Sequence, residues 1–323
     1  YTEISVMGNK SIMTDFLLMG FSDDHDMQLF YFLMFLFVYL TAVVGNFFII
    51  SAVVLNQHLH TPMYFFLVNL SFVDICYIST TVPKTIVVSV TNNKMIPYAG
   101  CVTQVFLVIT FVGAEIFLLT IMAYDRYVAI CRPLQYRLIM NWNACIQMAV
   151  IAWISTLVHA VLETSLTFQV NFCGFNEIGQ FFCNMPQLQK IACTDSKVHK
   201  ILIFLIGVSV NSFCFSFILT SYCYIFSSVL KIPSVQGRHK AFSTCIPHLT
   251  VFALFIITAV FSFLRPKSLS SPNVDLISGI LYTILPPVFN PIIYSLRNKD
   301  IQRTVWKILK KYNFKYSFKH LFL

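Results

Sequence analysis

Between Asp26 and Asp74 the chain carries no Asp, Glu, Lys or Arg, and few architectures tolerate an uncharged stretch of that length. About 18 or more consecutive apolar residues can cross the hydrocarbon of a bilayer as one helix. The interval therefore has room for two crossings, split by the polar turn Asn56-Gln-His-Leu-His-Thr-Pro62. A first span is expected over about 29–55. A second runs over about 63–88, with Asp74 inside it and Lys84 near its far end. A third begins near Tyr98, carries Glu115 mid-length and ends in Met122-Ala-Tyr-Asp-Arg-Tyr-Val-Ala-Ile-Cys131. Four more uncharged intervals follow, bracketed by Arg137 and Glu163, Lys200 and Lys231, Lys240 and Arg265, and Asp275 and Arg297. With 57% hydrophobic and 11% charged residues, the chain is far from the roughly one-quarter charged balance of soluble domains. The fold class expected is an all-α membrane protein, a bundle of seven transmembrane helices.

An odd number of spans puts the termini on opposite sides, and basic loop residues mark the cytosolic one. Arg126, Arg132 and Arg137, then Lys231, Arg238 and Lys240, then the basic run from Arg297 to Lys319 place most of the 22 Lys and Arg on one side. The other side receives Glu3, Asp15, Asp23, Asp24 and Asp26 against Lys10. The plan is thus an external tail at 1–28, a seven-helix domain at 29–296 and a cytosolic tail at 297–323. The net charge of +9 becomes an inner-surface property rather than a sign of nucleic-acid binding. Residues before 29 lack the basic and apolar regions of a cleavable signal, so the first span is expected to act as its own insertion signal. In the tail, Arg303, Lys307 and Lys311 follow Lys299 at four-residue steps, while Ile301, Val305, Ile308, Leu309 and Tyr312 fall on the other face. That pattern describes a short amphipathic helix on the inner leaflet, in contact with membrane lipids.

Asn9-Lys-Ser11 is a glycosylation sequon on the external tail, whereas Asn69-Leu-Ser71 falls inside a span, out of reach of sugar transfer. Cys101, Cys173, Cys183 and Cys193 share the external, oxidising side. Four cysteines allow three pairings, and the residues alone do not choose among them. Cys76, Cys131, Cys145, Cys214, Cys223 and Cys245 lie in spans or on the cytosolic side and suit packing roles.

Three polar features stand out against this background. Asp125 and Arg126 sit where the third span meets the cytosol, 24 and 25 residues after Cys101. Interfacial anchoring would explain a lone arginine there. A pair at that distance, however, links the two membrane faces, since about 25 helical residues cover roughly 37 Å. Asp74 and Glu115 lie at membrane depth, where an ionised carboxylate must be paired, hydrated or protonated. With Asn46 and Asn290 they suit either a small-cation site or a purely hydrogen-bonded network.

Taken together, these residues resemble the rhodopsin-like G-protein-coupled receptors, and within them the odorant receptors. The general marks are Gly45-Asn46, Leu70-Ser-Phe-Val-Asp74, Cys101, Asp125-Arg126-Tyr127 and Asn290-Pro-Ile-Ile-Tyr294. The sharper ones are Leu59-His-Thr-Pro-Met-Tyr-Phe-Phe66, Met122 through Cys131 with Arg132-Pro-Leu134, Ser221-Tyr222, Lys240-Ala-Phe-Ser-Thr-Cys245 with His248, and Pro291-Ile-Ile-Tyr-Ser-Leu-Arg-Asn298. The run from Phe172-Cys-Gly through Cys183 to Cys193 is similar to the group associated with airborne odorants. The resemblance implies disulfides joining Cys101 to Cys183 and Cys173 to Cys193. It implies an inactive state in which Asp125 holds Arg126, and an active state in which Arg126 is released toward a G protein while Tyr222 and Tyr294 close in. Tyr127, His248, Asn290 and Pro291 belong to the same switch. A stimulatory, olfactory-type G protein that raises cyclic AMP is the implied partner, and trafficking chaperones are possible helpers. No cofactor is implied beyond a sodium ion as an inactive-state modulator at Asp74, Glu115, Asn46 and Asn290.

The resemblance places the ligand in the outer half of the bundle. Counting along each helix, the inward positions are Val108, Ile109, Val112 and Gly113, then Ile206 and Val210, then Val260 and Phe263, then Ile280 and Thr283. Asn211 and Thr283 are the polar candidates. Val108 stands where receptors for amine transmitters carry an aspartate, so a small, mostly apolar volatile is expected. Two departures from the family pattern bear on this. Pro247 removes a backbone hydrogen bond from the inner part of the sixth span. Ile256 and Phe263 make the pocket more apolar than the usual aromatic and tyrosine would. The same motifs would serve a receptor for a metabolite outside the nose. A transporter or channel would be expected to show repeat symmetry or a charged pathway, and an enzyme would need a catalytic constellation. The sequence has neither.

Overall fold

The computed structural model describes residues 15–21, 24–170, 172, 176–192, 197–263 and 271–312. Asn9, Cys173 and Cys193, and with them the glycosylation site and the second disulfide, lie outside the described residues. Seven helices are long and apolar enough to cross a membrane. They are α1 (His25–Leu55), α2 (Pro62–Thr91), α3 (Tyr98–Cys131), α5 (Trp142–Phe168), α7 (Lys197–Leu230), α8 (Val235–Phe263) and α9 (Pro272–Arg297). Short helices α4 (Tyr136–Ile139) and α6 (Met185–Lys190) sit in loops, and α10 (Lys299–Tyr312) follows α9. We call the end that carries the α2–α3 connection outer, after the expected orientation.

Local chemistry explains the boundaries. Pro62 opens α2, where its missing N–H would lack an intrahelical partner in any case. Asn92 closes α2 in the left-handed conformation (φ 52°), which asparagine tolerates better than most residues. Asn141 caps α5 by accepting from the Ala144 N–H at 2.9 Å, and Ser271 caps α9 through Val274. α1 starts at His25, a turn earlier than hydropathy alone suggests. Its first turn is polar and acidic, which suits the positive end of the helix dipole and extends the helix beyond its apolar part.

α3 is the central helix, packed on α2, α5, α7 and α8, while α9 packs on α8, α1 and α2. Large apolar side chains such as Phe37, Phe47, Phe213 and Ile257 remain exposed around the bundle. On a water-soluble protein such a belt would be a liability. On helices that satisfy their own backbone it is the surface lipid covers.

The segment before α1 is more than a linker. Asp15–Leu18 forms strand β1, flanked by β2 (Met95–Pro97) antiparallel and β3 (Glu177–Ile178) parallel. Phe16 and Leu18 alternate inward and are fully buried with Ile96, Val105, Ile178 and Leu188. The tail thereby pins two outer loops to the end of α3. A four-residue strand with one buried face offers too little alternation to stand out beside long spans.

At the other end, α10 keeps its expected amphipathic character. Ile301 is buried and Trp306 is exposed. Asn56 on the α1–α2 turn donates to Thr304 (2.8 Å), and Asn298 donates to the Tyr64 hydroxyl (2.7 Å), so the helix is bolted to the inner loops.

Candidate functional site

The polar residues collect in three layers along α3. At the inner end, Asp125 is fully buried and both its oxygens are engaged. Oδ2 accepts from Arg126 Nε at 2.9 Å and from Arg126 Nη2, and Oδ1 accepts from the Tyr136 hydroxyl at 2.7 Å. Tyr136, on α4, had no motif to announce it. Burial, reinforced by the Asp125 carboxylate, holds its phenol above the ordinary tyrosine range and keeps it a donor. Tyr222 and His248 Nδ1 share a 2.7 Å hydrogen bond between α7 and α8. The buried Tyr294 hydroxyl has no hydrogen-bond partner. All three lie within electrostatic reach of Arg126. Tyr127 stands apart, stacked near Tyr124 and Tyr224 with its ring 5.9 Å from the Arg132 guanidinium.

At mid-depth the Asn290 amide donates to both oxygens of Asp74, at 3.1 and 3.0 Å, and to Glu115 Oε1 at 3.2 Å. Three of the four residues named for a cation site therefore meet. Asn46 takes a different part: its amide donates to the carbonyls of Ala42 (3.0 Å) and Pro287 (2.9 Å). Pro291 has no N–H to give the Pro287 carbonyl four residues before it, and Asn46 supplies the missing donor from α1. The Oδ1 atoms of Asn46 and Asn290 are buried without hydrogen-bond partners. Among the described residues no three His, Cys, Asp or Glu side chains group as metal ligands.

In the outer half, Val108 is buried with Tyr77, Phe181, Phe182 and Tyr282, and Val112, Ala259 and Ile280 pack against that cluster. Val112 also reaches a second cluster of Ile116, Cys214 and Phe255. Ile206 and Val210 are half-buried on α7. Several other expected pocket residues are placed differently. Ile109 packs on the cluster beneath the sheet. Gly113 faces α5, where an added Cβ would lie 3.2 Å from Thr156 Cγ2, so it serves close helix packing. Val260 is 48% exposed on the outside of α8, and its neighbour Ala259 faces the cluster instead. Asn211 is exposed, its amide folded back on the Gly207 carbonyl at 2.7 Å. Thr283 is buried and donates to Gly279 in its own helix. The Phe263 side chain lies outside the described residues.

Phe181 and Phe182 enter the cluster because Cys183 is bonded to Cys101 at the top of α3, with Cα atoms 5.5 Å apart. Gln104 clamps the same point: its Oε1 accepts from the Cys183 N–H at 2.8 Å and its Nε2 donates to the Thr80 carbonyl of α2 at 2.9 Å. Lys190 of the same loop pairs with Asp275 of α9 at 2.8 Å. Sequence reasoning missed Phe181 and Phe182, whose signal was their place beside Cys183; nothing local singled out Tyr77, Tyr282 or Gln104.

Comparison with known proteins agrees with this layout. A family model described as olfactory receptor matches residues 35–312. Olfactory receptor 14A16 of Homo sapiens is 46% identical over 304 residues, covering 94% of this chain and 98% of that protein. Olfactory receptor 14C36 of Homo sapiens is 47% identical over 305 residues, with 94% and 98% covered. Olfactory receptor 1E16 of Mus musculus is 43% identical over 303 residues, with 94% and 96% covered. With seven apolar helices, the paired Cys101 and Cys183, and matches across nearly its whole length, the chain belongs to the olfactory receptor family of class A G-protein-coupled receptors.

Proposed function

We propose that the protein binds a small, mostly apolar volatile in the outer half of the bundle and activates a stimulatory, olfactory-type G protein, raising cyclic AMP. Residues 1–28 lie outside the cell, 29–296 form the receptor domain and 297–323 lie in the cytosol. The observation that carries the reading is the Arg126 guanidinium closed onto Asp125 at the inner end, directly below an apolar cluster on the same helix. Such a pair is a two-state element: an agonist drives it only through a higher affinity for the open state.

The chemistry of each layer supports a step. The cluster of Val108, Tyr77, Phe182 and Tyr282 would hold a hydrophobic body by dispersion and exclusion of water. Release of Arg126 costs its bonds to Asp125, which become less costly to break once Tyr222 and Tyr294 offer hydroxyls nearby. The mid-layer residues fit a sodium ion: two carboxylates with the undonated Asn290 Oδ1 make an all-oxygen set suited to a hard cation. Asp74, Glu115 and Asn290 would hold it, and the ion would offset one of the two carboxylate charges, leaving the other to be met by a proton or by hydrogen bonds. The undonated Asn46 Oδ1 could contribute an oxygen, but its amide is committed to the proline gap.

The test is cyclic AMP in cells that co-express the chain with a stimulatory olfactory G protein, across a panel of volatiles. Surface staining is measured in parallel for wild type and Arg126→Ala. A volatile active only on wild type, at equal surface level, is the expected result. An equal response from the variant refutes the role given to Arg126.

A further inference from the structure

The switch and the mid-layer leave one buried acid unused. Glu163 is 4% exposed, on the inward stripe of α5 with Thr156, Ala160 and Thr167. It lies five residues before the end of α5 at Phe168, roughly 7 Å below the outer end. A carboxylate at that depth needs a partner. Its titratable neighbour is His159, whose Nε2 stands 3.5 Å from Oε1, longer than a good hydrogen bond.

Two observations place Glu163 inside the bundle, against α7 beside the pocket position Ile206 and within reach of one member of the ligand cluster. A Cβ built on Gly207 would lie 2.9 Å from Glu163 Oε1, so the carboxylate fills the gap that glycine leaves in α7. Tyr282, a member of the Val108 cluster on α9, is within electrostatic reach of Glu163, while α5 packs chiefly on α3 and α7. The acid thus looks across the interior rather than out to lipid. The region also holds hydroxyls awaiting a partner: Tyr77, within the cluster, and Thr164, beside Glu163, are buried with no hydrogen-bond partner.

We propose that Glu163 is a specificity-determining residue of the ligand pocket, and that the preferred agonist is a small, largely apolar amine whose ammonium N–H donates to its carboxylate. This rests on the odorant-receptor reading above. The missing acid at Val108 does not exclude amines, because α5, packed beside α3, supplies one. Glu115, the other acid near Tyr282, is already bound to Asn290 in the layer below. An ammonium gives Glu163 a charge-assisted bond, stronger than any an alcohol can form. A ketone or ester, having no donor, leaves the acid unpaired and the site costly to occupy.

The test uses the full-length chain in cells, cyclic AMP as readout and surface staining as control. The probes are cyclohexylamine, cyclohexanol and cyclohexanone, with linear amines, alcohols and ketones of matched size. Wild type is expected to answer amines at concentrations about tenfold or more below the matched ketones. Glu163→Gln is expected to erase that preference by raising the amine EC50 about tenfold while ketone responses stay within about threefold. Gly207→Ala, which crowds Oε1 without touching its charge, should weaken the amine preference in part. Where Glu163→Gln fails to reach the surface, the amine-to-ketone ratio of Gly207→Ala decides, and an unchanged ratio overturns the proposal. A wild type that answers ketones or alcohols but not amines overturns it while leaving the odorant reading intact. Silence to every volatile class at normal surface level overturns both.

Discussion

At the inner end of α3 the paired residues lie close in sequence: Asp125 binds Arg126 beside it and Tyr136 eleven residues on, while the nearby Tyr294 hydroxyl and His248 Nε2 have no hydrogen-bond partner. At the outer end the cluster is gathered from α2, α3, α8, α9 and a loop, and the Tyr77 hydroxyl within it has no hydrogen-bond partner. The inner arrangement is built by residues near one another in the chain, whereas the outer one depends on contacts between distant segments. Unpaired polar atoms in a buried setting are costly to keep, and among the described residues they fall at every level: Tyr77 and Thr164 toward the outer end, Asn46 and Asn290 at mid-depth, His248 and Tyr294 at the inner end.

Three substitutions would break or sharpen this contrast. The largest effect is expected from Gln104→Leu, which removes both clamps that join α2, α3 and the loop bearing Cys183. Stranding the buried Cys183 N–H and the Thr80 carbonyl should cost about 1–3 kcal/mol, seen as a lower thermal midpoint of the detergent-purified protein. An unchanged midpoint would mean that the outer end is held by the disulfide alone. At the inner end, Tyr136→Phe withdraws one of the donors on Asp125. Losing about 1 kcal/mol from the closed state should raise agonist-free cyclic AMP about fivefold. Basal signalling at the wild-type level would remove Tyr136 from the switch. The smallest effect is expected from Lys190→Ala, since the lysine is half exposed and such pairs contribute about 0–1 kcal/mol. Hydrogen exchange in α6 should rise slightly in the variant, and should rise likewise in the wild type as added salt screens the pair; protection that is insensitive to salt would show that Gln180, which donates to the Asp275 carbonyl, carries the contact.

The seven spans were legible because charge-free intervals of that length admit few other structures. Asp125, Arg126, Tyr222, His248 and Tyr294 could be named in advance because they sit in motifs. Pocket residues were harder for a geometrical reason: an error of one position rotates a helix by about 100°. Ala259 rather than Val260 faces the cluster, and that single step is the whole difference between lining a site and meeting lipid. Glycines misled for a related reason, because Gly113 looks like room for a ligand and is room for α5. Glu163 was passed over because it closed an uncharged interval and so looked like a boundary marker, when α5 continues past it to Phe168. Tyr136 lies in a loop whose path only the folded chain defines.

The bond from Asn46 to the Pro287 carbonyl has a mechanical consequence. A proline leaves a helix with a notch at which it can flex, and here the notch is plugged by a side chain from a different helix. Bending α9 at Pro291 would pull that plug away from a buried carbonyl. α1 therefore acts as a latch on α9, setting a cost on any bend that would carry Tyr294 toward Arg126.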